Sequence, residues 1–124
     1  MAVRRLQDAD TDRAQVYSLL GFNSPHLWVV MPARNEAARI ESTLRAYLAG
    51  MGPSDHLVVV VNGSTDATAT IVKDLQQSDR RLQLIVEPAL IGKGGAILRG
   101  LEMVAELAPR NDTVAYADAD GAVA

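Results

Sequence analysis

Leu57-Val58-Val59-Val60-Val61 is an unbroken apolar run between His56 and Asn62. A strand with one face in water alternates apolar and polar residues, so a β-branched run without alternation reads as a strand covered on both faces. Three other short runs resemble it: Leu27-Trp28-Val29-Val30-Met31, Leu82-Gln83-Leu84-Ile85-Val86 and Thr113 to Ala117. Between them the apolar spacing turns helical, with Ile40, Leu44, Tyr47 and Leu48 in the first interval, Ile71, Val72 and Leu75 in the second, and Ile97, Leu101, Val104 and Ala105 in the third. Strand, helix, strand, helix, strand, helix, strand is the order of an α/β protein, and it predicts an open, mostly parallel sheet flanked by helices.

At 124 residues, with 48% apolar and 22% charged residues, the chain has the size and composition of one soluble layered domain. Residues 1–26 read as a polar lead-in with a short helix, Thr11 to Leu20, stopped by Gly21 and Asn23-Ser24-Pro25. Residues 27–124 form the α/β unit. A net charge of -3, with Arg4-Arg5 and Arg80-Arg81 as short basic clusters, gives no electrostatic footprint for nucleic acid. The lack of cysteine excludes disulfides, thiolate metal sites and a thiol nucleophile. Leu6-Gln7-Asp8-Ala9-Asp10 is no signal core, and no apolar run approaches the ~20 residues that span a bilayer. The default expectation is a cytoplasmic protein with no membrane segment.

Ligands of open α/β sheets bind at the carboxyl ends of the strands. That rim gathers Pro32-Ala33-Arg34-Asn35-Glu36, Asn62-Gly63-Ser64-Thr65-Asp66, Leu90-Ile91-Gly92-Lys93-Gly94-Gly95 and Asp118-Ala119-Asp120, while the opposite rim holds plainer connections such as Gly52-Pro53-Ser54-Asp55-His56. His26 and His56 precede strands and belong to that opposite rim, as surface histidines rather than ligands or bases.

Each segment has a structural use as well as a chemical one. Pro32 can end a strand, and Asn35 or Glu36 can open the next helix. Gly63 permits a tight turn, after which Ser64, Thr65 or Asp66 can cap a helix whose first amides face a nucleotide. Asn62-Gly63-Ser64 also fits the N-glycosylation pattern, but no secretory signal supports that use. Gly92-Lys93-Gly94-Gly95 places three glycines before a helix, letting backbone approach a ligand while Lys93 supplies a mobile charge suited to a diphosphate. It is not a Walker loop, since Gly94 stands where Ser or Thr belongs and Glu87 replaces the first glycine; nor is it a dinucleotide fingerprint, since Ile97 holds the third glycine position. Asp118-Ala119-Asp120 can grip a divalent cation with open positions left for phosphate oxygens, or it can be a solvated acidic turn.

In this order the four segments resemble the nucleotide-sugar-binding half of a family 2 glycosyltransferase with the Rossmann-like GT-A fold, of the dolichyl-phosphate mannose synthase or glucosyl-3-phosphoglycerate synthase type. The resemblance runs from about Leu27 to Asp120 and rests on Val29 to Glu36, Gly63-Ser64-Thr65-Asp66, Gly92-Lys93-Gly94-Gly95-Ala96 with Arg99-Gly100, and Asp118-Ala119-Asp120. It implies a nucleotide-diphosphate sugar, UDP- or GDP-linked, as partner. Pro32, Ala33, Arg34 and Glu36 would border the nucleoside, with Asn62, Gly63 and Ala119 in the donor site and Lys93 at the diphosphate. Asp118 and Asp120 would hold the ribose region and a Mg²⁺ or Mn²⁺ that stabilises the leaving diphosphate. The resemblance implies transfer to an acceptor hydroxyl or lipid phosphate, with the general base supplied by sequence beyond Ala124, so the 124 residues alone are expected to be an inactive or nearly inactive fragment. Apolar surface left uncovered in such a fragment would favour homo-oligomers. The chain departs from the family at Val61-Asn62, where many relatives place a carboxylate that reads the base. The other readings are a non-catalytic nucleotide-binding module completed by a partner, and a nucleotidyltransferase, whose glycine-rich first loop is here replaced by Pro32 to Glu36.

Overall fold

The computed structural model describes residues 3–5, 26–108 and 112–119. The four apolar runs form strands β2 (Leu27–Ala33), β3 (His56–Asn62), β4 (Leu82–Glu87) and β5 (Thr113–Ala117), and the intervals hold helices α1 (Ile40–Ala49), α2 (Thr68–Gln76) and α3 (Gly92–Leu107). A fifth strand, β1 (Val3–Arg5), lies in the segment read as a polar lead-in. Three residues are too few to show a strand period, so β1 had no signal in the sequence. It pairs antiparallel with β5 and covers backbone groups that would otherwise form an open sheet edge. The helix expected at Thr11 to Leu20 lies outside the described residues.

The sheet order is β1-β5-β2-β3-β4, and β5, β2, β3 and β4 are parallel. Side chains alternate across it. Val29, Met31, Leu57, Val59 and Val61 pack with Ile40, Leu44, Val72 and Leu75 of α1 and α2, whereas Trp28, Val30, Val58 and Val60 pack with Ala96 and Val104 of α3. Val58 to Val61 are all buried to within 1%. Full burial of each such side chain is worth about 1.5–3 kcal/mol, which makes β3 the most strongly committed strand.

The chain therefore steps from β2 to β3 to β4 with helices on one face, then returns along α3 on the other face to β5, on the far side of β2. The direction of winding reverses between β2 and β5. In a doubly wound sheet that reversal parts the loops at the carboxyl ends and opens a crevice.

The opposite rim is closed by its own hydrogen bonds. Asp55 accepts from Leu27 N at 2.9 Å and Gly52 N at 2.7 Å, and Asp112 accepts from His26 N at 3.0 Å and from the Trp28 indole at 2.7 Å. His56 lies on this rim but is not a free surface histidine. Its ring stacks on Trp28 with centroids 4.0 Å apart, and burial holds its pKa below the ordinary value. Because His56 is the first residue of β3 and pairs in register with Trp28, the stacking follows from the strand pairing itself.

Candidate active site

At the β2–β5 reversal the structure has a cleft of about 290 Å³. Pro32, Ala33, Arg34 and Glu36 enter it from the end of β2, Asn62 from the end of β3, Leu90, Gly92 and Lys93 from the segment after β4, and Asp118 and Ala119 from the end of β5. Eight of these ten positions were expected in the site from sequence. Leu90 was not singled out, and Gly92 was read as part of the glycine turn that lets backbone approach a ligand but was not counted among the donor-binding residues. Gly63 does not line the cleft. Its φ of 62° makes it a left-handed turn residue, and a Cβ there would stand 3.0 Å from Leu90 Cα, so glycine is required where the two loops touch.

The first two loops are fastened together. Asn35 adopts φ 50°, which Asn tolerates, and its Oδ1 accepts from Thr65 N at 2.8 Å while its own N donates to Ser64 Oγ at 2.9 Å. Glu36 N donates to Thr68 Oγ1 at 2.9 Å and Ala37 N to Asp66 Oδ2 at 3.2 Å. Asp66 Oδ1 accepts from Thr68 N and from the Thr68 hydroxyl; chiefly the hydroxyl bond lowers the Asp66 pKa. Ser64, Thr65 and Asp66 thus hold the wall that carries Arg34 and Glu36; the N-cap of α2 is Ala67, and of the three expected caps Asp66 bonds the first helical amide, Thr68 N. Helix α1 opens later than Asn35 or Glu36. The Glu36 carbonyl accepts from Arg39 N and Ile40 N, and Ile40 is the first helical residue.

Asn62 connects the second loop to the third. It is buried, 4% exposed, and its Oδ1 accepts from Ile91 N at 2.7 Å. That bond assigns Oδ1 as the acceptor and leaves Nδ2 as the donor end of the amide. The same burial excludes Asn62 as a glycan acceptor. The three glycines after it do not precede α3 but lie within its first turn, with Gly92 at φ 78°. A Cβ at Gly92 or Gly94 would meet nothing within 4 Å, so this turn is open to a ligand.

Charges of both signs meet in the cleft. Glu36 Oε2 accepts from Arg39 at 2.8 Å, and the ammonium of Lys93, whose side chain is 61% exposed, contacts Asp118 Oδ1. That carboxylate oxygen is buried and has no donor other than this ammonium. A buried anionic oxygen served only by a mobile cation is chemically suited to a bound metal ion. Among the described residues no three His, Asp or Glu side chains converge for a cation, and Asp120 lies outside them.

The family model described as "Glycosyl transferase family 2" matches residues 28–124. Glycosyltransferase AglD of Haloferax volcanii is 37% identical over 97 residues, covering 74% of this chain and 15% of that protein. Dolichyl-phosphate beta-glucosyltransferase ALG5D of Trichomonas vaginalis is 33% identical over 111 residues, 82% of this chain and 32% of its own length. Among solved structures, S. aureus TarS in complex with UDP-GlcNAc has a TM-score of 0.65 at 21% identity, covering 77% of this chain and 26% of that one. Mannosyltransferase PcManGT from Pyrobaculum calidifontis, in complex with GDP-Man and Mn²⁺, has a TM-score of 0.60 at 28% identity and covers 77% and 28%. The chain thus spans about a third or less of these relatives. The match from the first residues of β2 onward carries all four rim segments, and this chain belongs to glycosyl transferase family 2.

Proposed function

We propose that these residues bind the donor of a glycosyl transfer, a UDP- or GDP-linked sugar with Mg²⁺ or Mn²⁺, and that the protein to which they belong transfers the sugar to an acceptor hydroxyl or a lipid phosphate. The observation that carries this reading is the cleft at the β2–β5 reversal, where Arg34 and Lys93 stand with Asp118, whose buried Oδ1 is met by the Lys93 ammonium and by no other donor. Pro32, Ala33 and Glu36 border the nucleoside, and Asn62 offers its amide to the base. Lys93 meets the diphosphate as a mobile point charge. The carboxylates of Asp118 and Asp120 would hold the cation, which would supply Lewis-acid stabilisation of the diphosphate. Support for the donor class comes from UDP-GlcNAc in TarS and GDP-Man with Mn²⁺ in PcManGT, and support for a lipid-phosphate acceptor from the name of the ALG5D relative.

The protein's own contribution is to keep the cleft walls in place before the donor arrives. Polar groups aimed in advance at developing charge stabilise it without reorganisation. The bonds from Ser64, Thr65 and Asp66 to the first loop, and from Asn62 to the third, have this consequence.

Calorimetric titration of UDP and of GDP, with and without Mn²⁺, tests the proposal. One of the two nucleotides binds in a Mn²⁺-dependent manner, and Asp118→Asn abolishes the dependence in a variant with an unchanged circular dichroism spectrum. Metal-independent binding, or none of either nucleotide, would contradict it. Binding unaffected by Asp118→Asn favours the non-catalytic nucleotide-binding module.

A further inference from the structure

Lys93 and Asp118 face each other across the cleft from different elements, the first turn of α3 and the end of β5. Asp118 Oδ1 is buried and is met by the Lys93 ammonium and no other donor, while the Asp118 side chain is only 20% exposed. Lys93 is mostly solvated, and its backbone lies between glycines whose surroundings are open. One partner is therefore fixed by the fold and the other is free to move. A divalent cation bound through Asp118 Oδ1 would meet the ammonium at the same oxygen, and two positive charges cannot share that position at contact distance.

We infer that Lys93 is an internal counterion of the metal site: it competes with the divalent cation for Asp118 and releases the carboxylate when a diphosphate offers the ammonium a better anion. The inference rests on the donor-site reading and adds a coupling to it. Phosphate oxygens form strong charge-assisted hydrogen bonds with ammonium groups, so a nucleoside diphosphate draws Lys93 from Asp118 and the vacated oxygen accepts the metal. Metal and nucleotide then promote each other's binding by the same factor, as linkage requires. The cation alone binds weakly because it must first displace the lysine. This is a positioning role for Lys93 that a simple phosphate contact would not produce, since a residue that only bound phosphate would leave the affinity for metal alone unaltered.

The test is Mn²⁺ binding without nucleotide, read by electron paramagnetic resonance of free Mn²⁺, followed by the same titration at saturating UDP or GDP. Lys93→Met is expected to bind Mn²⁺ alone about two- to fivefold more tightly than the parent chain, the scale of losing one partly exposed competing ion pair. Its nucleotide affinity falls, and the factor by which nucleotide enhances Mn²⁺ binding shrinks at least twofold. Lys93→Arg, which keeps a cation at the position, retains weak binding of Mn²⁺ alone. Arg99→Met removes a positive charge of α3 that pairs with Glu87 and Glu102 and does not line the cleft, and it changes binding of Mn²⁺ alone by less than twofold. Unchanged or weaker Mn²⁺ binding in Lys93→Met overturns the inference, as does an equal gain in Arg99→Met, which would show a general charge effect. If neither nucleotide binds with Mn²⁺, the donor-site reading fails, and the titration with Mn²⁺ alone still decides whether Lys93 competes for the carboxylate.

Discussion

Gly100 lies where α3 crosses the sheet, and a Cβ there would run into Cγ1 of Val30, which is fully buried and cannot retreat. Gly100→Ala gains about 1 kcal/mol of helix propensity but incurs overpacking of about 1–3 kcal/mol. A net loss of up to about 2 kcal/mol is expected in urea denaturation; a gain in stability would show that the helix and sheet have room to separate. Asp66 makes a different kind of contribution. Its bonds run to Thr68 and Ala37 and not into the cleft, so Asp66→Asn is expected to weaken UDP or GDP binding several-fold in a variant with an unchanged circular dichroism spectrum. Unaltered affinity would remove Asp66 from the support of the site. The role of Ser64, Thr65 and Asp66 in holding the neighbouring loop was not readable from the chain, because a turn motif specifies its own cap locally and says nothing of which loop lies beside it. Asn62, by contrast, was placed correctly on the rim by its position at the end of an apolar strand.

At the scale of elements, α1 ends against Arg81, whose guanidinium donates to the carbonyls of Leu48 at 2.8 Å and Met51 at 3.0 Å while pairing with Asp79 at 2.7 Å. Arg81→Met leaves these terminal carbonyls without their donor and should cost about 1–3 kcal/mol by chemical denaturation, the range for hydrogen bonds to a charged group. A loss below a few tenths would mean that water replaces the arginine without penalty. The pH dependence of stability has two parts. Burial lowers the His56 pKa, so the unfolded chain binds protons more readily than the folded one, and stability falls as pH drops below the unfolded value of 6.5 towards the lower folded value. Asp79, held down by its hydrogen bonds to Arg81, and Asp66 contribute stability that is present above 3.8 and is lost as pH falls through their lower folded values. Urea midpoints followed from pH 8 to 3 should show both declines, and His56→Gln should flatten the upper one alone. A curve that rises between pH 7 and 5 would contradict the buried stacking of His56 on Trp28. The four long strands and three helices were legible because their apolar periods are carried by many residues. The short β1 was not, since its formation depends on the edge that β5 offers.

For the whole molecule, the reversal of winding between β2 and β5 turns separate rim segments into one cleft. Topology of this kind was readable as strand order along the chain but not as order in the sheet, which required the β2–β5 pairing. Among the described residues no helix is long and apolar enough to cross a membrane, while Leu90, Leu98 and Leu107 are each more than half exposed. If that surface drives self-association, sedimentation velocity will show a concentration-dependent dimer that Leu98→Glu weakens, whereas a monomer at all concentrations would exclude it. The metal–diphosphate site proposed at the carboxyl rim beside Asp118 is tested most directly by paramagnetic broadening of backbone amide resonances by Mn²⁺ in the presence of UDP or GDP. Broadening is expected to centre on Ala33 to Glu36, Gly92 to Gly94 and Asp118-Ala119; broadening centred instead on Asp55 and Asp112 at the opposite rim, or absent throughout, would contradict such a site.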